Sequence, residues 1–264
     1  MDMTLCAVDL GAMTTRVVVH AAGFASAMGS ELKIVHATDA APAQHNAIVD
    51  AFFKSIPYDV SISESSFAVR SGKAAEVILG DAAAGGAGLI VMGSSSHGGL
   101  ARMLLGSTSD AVLQQTTTPV LLVPPTSMDI VAGAPRPAVT CGAVLAAIDL
   151  TEINQRQLRL ASRIAAAASC PLNLLTIAGA LMTDHDAGQR LRGLAHNLEP
   201  VRPRGLIVRR GDVAEEVSRC AASEKAGLVV MGLRDRARGR PGRITAKVLH
   251  SHRAFVLAVP ADAH

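Results

Sequence analysis

The chain has 264 residues, 49% hydrophobic and 18% charged, with a net charge of +3 and only five Phe, one Tyr and no Trp for aromatics. So many aliphatic residues and so few charges exclude intrinsic disorder, and the core must be built from Ala, Val, Leu and Ile. The most apolar stretch, 161–182, is broken by Arg163, Pro171 and Asn173, which leaves no run of the ~18 apolar residues that a membrane span needs.

From the N-terminus an apolar run begins at once, with no basic segment and no cleavage-like site, so no signal peptide is expected. Leu5–Val8, Leu32–Val35, Val60–Ile62, Leu89–Met92 and Val120–Val123 read as strands. Thr15–Met28, Ala43–Lys54, Lys73–Ala84 and Ser107–Gln115 read as helices between them. Val/Ile/Leu runs without alternation fit strands buried on both faces, with the helices as crossovers. Gly29 and Gly85-Gly86 stand where helix C-caps belong.

The same order of pieces then returns. Ala7-Val-Asp-Leu10 recurs as Ala147-Ile-Asp-Leu150, an offset of 140, and Gly72-Lys-Ala-Ala-Glu76 as Gly211-Asp-Val-Ala-Glu215, an offset of 139. Ala87-Gly-Leu-Ile-Val-Met-Gly93 recurs 139 later at Ala226–Gly232, and Val123-Pro124 recurs 136 later at Val259-Pro260. A tandem duplication follows, with three residues missing from the second copy after Gly232. Four prolines between Pro124 and Pro137 mark a linker. The expected organisation is a domain over 1–125, a linker over 126–138 and a domain over 139–264. Each domain is a doubly wound parallel α/β fold.

In such sheets a ligand sits outside the C-terminal ends of the strands, at the topological switch point. Asp9, Val35-His36 and Met92-Gly93 leave those ends. After the fourth strand comes Gly93-Ser-Ser-Ser-His-Gly-Gly, then Gly106-Ser107-Thr108-Ser109-Asp110 at a helix start. Ser107 with Asp110 three later reads either as a capping box or as part of an anion cradle of glycines, hydroxyls and free N–H groups. Asp9 likewise reads either as a ligand-facing residue or as a cap for the following helix.

These pieces together resemble the universal stress protein family. The resemblance rests on the Ala-Val-Asp start, Ile34-Val35-His36, Gly211–Val217, Leu89–Gly93 and Pro119–Val123. It also rests on Gly93-2x-Ser96-9x-Gly106-Ser107, which fits the family's G-2x-G-9x-G-(S/T) with Ser96 in place of a glycine. Gly11 stands where the family's Asp-x-Ser turn has its Ser. The resemblance implies a Rossmann-like, adenine nucleotide alpha hydrolase-like fold that binds ATP, ADP or AMP, with or without Mg, in the first copy. Asp9 and the backbone at Val35 would face adenine and ribose, and Met92 and Gly93 the ribose and first phosphate. Ser96, Gly106, Ser107 and Thr108 would hold phosphates. It further implies last strands that pair, here within one chain as a pseudo-two-fold unit, and a homodimer as a further assembly.

The second copy keeps Asp149, Thr151, Met231 and Gly232, but its loop becomes Gly232-Leu-Arg-Asp-Arg-Ala-Arg-Gly-Arg-Pro-Gly-Arg243. That is no hydroxyl-lined cradle, so its site is expected to be degenerate. Residues 1–136 hold 7 Lys/Arg against 11 Asp/Glu, and 137–264 hold 18 against 11. The five arginines from Arg234 to Arg243 read as a solvated loop, an anion clamp or a docking surface for an acidic partner. Scarce aromatics and so small a basic footprint argue against nucleic acid.

Other signals carry less. His97 beside Ser96 lies in no G-x-S-x-G elbow, Asp184-His185-Asp186 reads as a solvated loop rather than a metal site, and His250 and His252 stand near the last helix end. The four Cys are scattered with no C-x-x-C pair, which fits reduced thiols and a cytoplasmic setting. The leading expectation is a stress-responsive regulator that binds an adenine nucleotide. The alternatives are a non-nucleotide interaction protein docking partners through its basic copy and, last, a slow ATPase. No P-loop, no lysine on the phosphate loop and no base for water support catalysis.

Overall fold

Unbroken runs of Val, Ile and Leu make strands covered on both faces, and the amphipathic stretches between them make the helices that cover them. The computed structural model describes residues 3–56, 62–63, 66–94, 105–133, 135–233, 242–252 and 254–261. They fall into two units, Met1–Pro125 with Val131–Val139, and Thr126–Ile130 with Thr140–His264.

The first unit runs β1 (Met3–Val8), α1 (Thr14–Met28), β2 (Glu31–Thr38), a 3-10 turn at Pro42–Gln44 and α2 (His45–Ser55). It continues with β3 (Phe67–Ser71), α3 (Ala74–Ala84), β4 (Ala87–Gly93), α4 (Ser107–Gln115) and β5 (Val120–Val123). All neighbouring strands pair in parallel, in the order β5-β4-β1-β2-β3. Every residue of β1 and β5 is buried, as the apolar runs demand.

The third strand is not where the sequence suggests. Val60 lies outside the described residues, Ile62 is in no strand, and β3 is Phe67–Ser71. This strand pairs with β2 alone among the described residues, and a half-exposed edge strand with Arg70 and Ser71 shows no apolar run. An aromatic cluster pins it down: the rings of Phe52 on α2 and Phe67 stack with centroids 4.0 Å apart. β2 also runs past Val35 to Thr38.

The proline-rich segment holds a small antiparallel ladder, β6 (Val131–Ala132) with β7 (Ala138–Val139). It packs on α1. Gly23 makes room for it, since a Cβ at that position would lie 2.6 Å from Cγ1 of Val131.

The second unit repeats the pattern with β8 (Val144–Ile148), α5 (Gln155–Ala167), β9 (Leu172–Ile177), α6 (Asp184–His196) and β10 (Gly205–Arg209). It closes with α7 (Val213–Ser223), β11 (Leu228–Leu233), α8 (Arg243–His252) and β12 (Phe255–Pro260). Its parallel order is β12-β11-β8-β9-β10. Gly72 and Gly211, which open the repeated Gly-x-x-Ala-Glu segment, share φ = 132°. The motif therefore marks a backbone turn that disfavours any Cβ. Asp184-His185-Asp186 is the first turn of α6 rather than a loop. Thr183 caps it, accepting from Asp186 N at 3.1 Å and donating to Asp186 Oδ2 at 2.7 Å. No helix among the described residues is long and apolar enough to cross a membrane.

Candidate functional site

In the first unit the chain order reverses between β1 and β4, and the crevice beyond their C-terminal ends is a cavity of about 270 Å³. Asp9, Val35, Met92, Gly93, Gly106, Ser107 and Thr108 all line it. Ser96 falls outside the described residues.

The strand register explains why these residues meet. Ala7 pairs with Val35 and with Met92, and Val8 pairs with His36, so three strands end at one level. His36 Nδ1 lies 3.0 Å from the Val8 carbonyl. Because a carbonyl only accepts, Nδ1–H donates, and the bond ties β2 to the end of β1. Just beyond β1 the chain turns sharply through Leu10 at φ = 60°, and Asp9 Oδ1 accepts from Gly11 N at 2.9 Å. That Asx turn brings the start of α1 over the cavity.

The donor-rich wall is the start of α4. Its N-cap is Gly106, with φ −60° and ψ 149° and no side-chain hydrogen bond. Ser107 is therefore the first helical residue and not a cap, which corrects the capping-box reading. Asp110 instead accepts from Gln114 Nε2 at 2.7 Å. The first intrahelical bond runs from Asp110 N to Gly106 O at 2.8 Å. The N–H groups of Ser107, Thr108 and Ser109 thus have no partner within the helix, at its electropositive end. Ser109 Oγ donates to Gly93 O at 2.8 Å, and Gly106 N donates to Ser94 O at 3.0 Å. These bonds lock the helix start onto the end of β4.

His36, already placed at a strand end by the sequence, lines the cavity too, and so do residues that were not legible: Met13 just before α1, Thr14 and Val17 of α1, and Ala74 and Ile78 of α3. No motif marks these helix starts. Their only signal is position, on the first turns after β1 and β3. Among the described residues no lysine or arginine lines the cavity, so an anion there would be held by amides and hydroxyls. Thr14 is 5% exposed, and its Oγ1 is buried without a hydrogen-bond partner among the described residues. A buried hydroxyl left unpaired costs about 1–3 kcal/mol, which a ligand able to reach it would relieve.

At the equivalent place in the second unit a polar side chain reaches across the strand ends. The offset of 140 sets Gln157 opposite Val17 and Asn154 opposite Thr14. Gln157 Nε2 donates to Ala147 O at 2.8 Å and Val230 O at 3.0 Å, bridging the ends of β8 and β11. A Cβ on Gly232 would lie 3.2 Å from Gln157 Oε1, whereas one on Gly93 would meet only Val17 Cγ2, at 3.8 Å. Asn154 caps α5, accepting from Gln157 N at 3.0 Å and donating to Val259 O and Pro260 O at 3.2 and 2.8 Å. Residues 234–241 of the arginine-rich loop lie outside the described residues.

Residues 2–124 match the model of the universal stress protein family. A search of curated proteins found no match. Among solved structures, a functionally unknown protein from Pseudomonas aeruginosa PAO1 is similar at 16% identity and a TM-score of 0.70, covering 99% of this chain and 93% of that one. A universal stress protein from Archaeoglobus fulgidus is similar at 17% identity and a TM-score of 0.67, with 98% and 96% covered. The cytoplasmic domain of a prokaryotic cation chloride cotransporter is similar at 11% identity and 0.54, with 97% and 94% covered. At such identities the likeness is one of fold, and function must be argued from the site.

Proposed function

Because the chain belongs to the universal stress protein family through residues 2–124, we propose that its first unit binds an adenine nucleotide, ATP, ADP or AMP, and serves stress-responsive regulation by that occupancy. The observation that carries this reading is the uncapped start of α4, held beside Gly93 at the switch point and facing a cavity. Val17, Val35, Ile78 and Met92 supply apolar walls for a purine. The amides of Ser107, Thr108 and Ser109 supply donors for phosphate oxygens. Asp9 is the sole carboxylate on the wall among the described residues, and one carboxylate with substrate phosphates is a common way to hold Mg²⁺. The second unit does not bind in this manner, a reading that Gln157 in its crevice supports.

Gly106→Asp tests the proposal. The φ and ψ of Gly106 are open to any residue, and Asp is a favoured N-cap. Its carboxylate would take the free amides and repel a phosphate. The expected result is an unchanged or higher melting temperature for the free protein and a loss of ATP affinity of at least about 100-fold. Unchanged affinity in a folded variant would overturn the site. An adenine chromophore released on denaturing the purified parent chain would identify the base.

A further inference from the structure

The four cysteines are far apart in sequence, yet two of them meet in the second unit. Cys141 lies just before β8 and Cys170 just before β9, and their Sγ atoms are 3.3 Å apart. Both are free thiols. Their backbones are held in place: Cys170 N donates to Ala165 O at 3.0 Å after the left-handed Ser169 at φ = 50°. Cys141 packs against Gly227, where a Cβ would come within 3.1 Å of the Cys141 Cβ.

We infer that Cys141 and Cys170 form a reversible dithiol–disulfide site for hydroperoxides, with Cys170 as the attacking thiol and Cys141 as the resolving one. Exposure divides the roles. Cys170 is half-buried, whereas Cys141 is 6% exposed. Charge divides them the same way. The hydrogen bond from Cys141 holds the Cys170 thiol below the ordinary range, helped by the backbone at Val144 and Cys170. That same bond, with burial, pushes Cys141 up. A thiolate that is both reachable and hydrogen-bonded is the reactive form. Cys6 and Cys220 are buried and pushed up by desolvation, so they serve as internal controls.

The chemistry balances with one hydroperoxide. The Cys170 thiolate attacks the terminal oxygen, an S–O bond forms, the O–O bond breaks, and the alkoxide leaves as alcohol after taking the proton that Cys170 had released. Cys141 sulfur then attacks the sulfenic sulfur, an S–S bond forms, and hydroxide leaves as water with the Cys141 proton. Two thiols are oxidised by two electrons, and the hydroperoxide is reduced to alcohol and water. A low-molecular-weight dithiol reverses the step by exchange.

The test uses the full chain and hydrogen peroxide. Expected is one Cys141–Cys170 disulfide per peroxide, a mass loss of two hydrogens, two of the four thiols remaining, and full recovery on adding a dithiol. Cys170→Ser should slow peroxide consumption at least about tenfold. Cys141→Ser should instead keep the attack and accumulate a sulfenic acid at Cys170, trapped by a 1,3-dione. In the unmutated chain, iodoacetamide at neutral pH should label Cys170 first. Persistence of both thiols under excess peroxide, first labelling of Cys220, or absence of a trapped adduct in a folded Cys141→Ser chain would each overturn the assignment.

Discussion

A single hydroxyl marks how the first unit differs from a protein with a finished core. Thr14 keeps a buried Oγ1 without a partner among the described residues, while Ser109, also buried, spends its Oγ on Gly93 O. The two should respond oppositely to loss of the hydroxyl. Thr14→Val should leave the free protein as stable or more stable by up to about 1 kcal/mol, because it removes an unpaired polar group. Ser109→Ala should destabilise it by about 1–2 kcal/mol, because the Gly93 carbonyl loses its bond. Urea unfolding of both variants checks the signs, and a Thr14→Val chain weaker by more than 1 kcal/mol would show the hydroxyl to be satisfied. Seven of the eight residues that the family resemblance singles out line the cavity, and the eighth, Ser96, lies outside the described residues. Of the seven, only Gly106, Ser107 and Thr108 stand out by composition, as a glycine and hydroxyls at a helix start. Thr14 does not stand out, since one Thr in Met-Thr-Thr-Arg has no pattern around it. Only the Leu10 turn reveals where it points the helix.

Helix starts show the same economy at the level of elements. The repeated segment opens α3 after Gly72-Lys73 and α7 after Gly211-Asp212, with both glycines at φ = 132°. Asp212 Oδ1 accepts from Ala214 N and Glu215 N at 3.0 and 3.2 Å, whereas Lys73 caps nothing. The second copy is therefore a template for the first. Lys73→Asp should stabilise the first unit by about 1 kcal/mol, more than the exposed Lys73–Glu76 pair it removes is worth. Thermal melting reads the difference, and a lower melting temperature would mean that the α3 start is already satisfied otherwise. Elements buried on two faces were legible from their apolar runs. β3 was not, for it is an edge strand whose exposed positions are Arg and Ser. Nor was the start of α6, where Thr183 and Asp186 form a cap inside a sequence that looks like a solvated acidic loop.

At the scale of the whole molecule, the two units differ in what their first helix presents to the strand ends. Gln157 holds the ends of β8 and β11 together where Val17 leaves β1 and β4 apart from any such bridge. Gln157→Val should thus cost about 1–2 kcal/mol, because it removes two side-chain hydrogen bonds from the strand ends, while Val17→Ala should cost less than its burial suggests because a cavity already adjoins it. Denaturant titration of both variants measures the asymmetry; equal costs would argue that the two crevices are packed alike. Oxidation of Cys141 and Cys170 would close a loop around α5, worth about 3–4 kcal/mol by chain entropy to the second unit alone. Offsets in the sequence point to a duplication, but not to this difference between the units, since Gln157 and Val17 differ without any motif to mark the change.

The proline-rich stretch also sets how the two copies can be parted. The chain passes from the first unit to the second at Pro125, back at Val131 and across again after Val139. Cutting after Pro125 strips α1 of the ladder that seats Val131 against Gly23, laying bare a strip of buried aliphatic surface. Cutting after Val139 instead takes Ile130 away from Gly227 and Cys141, beside which it packs. Neither cut is clean. Each unit keeps part of this stretch for itself, so no single break in it returns two intact units.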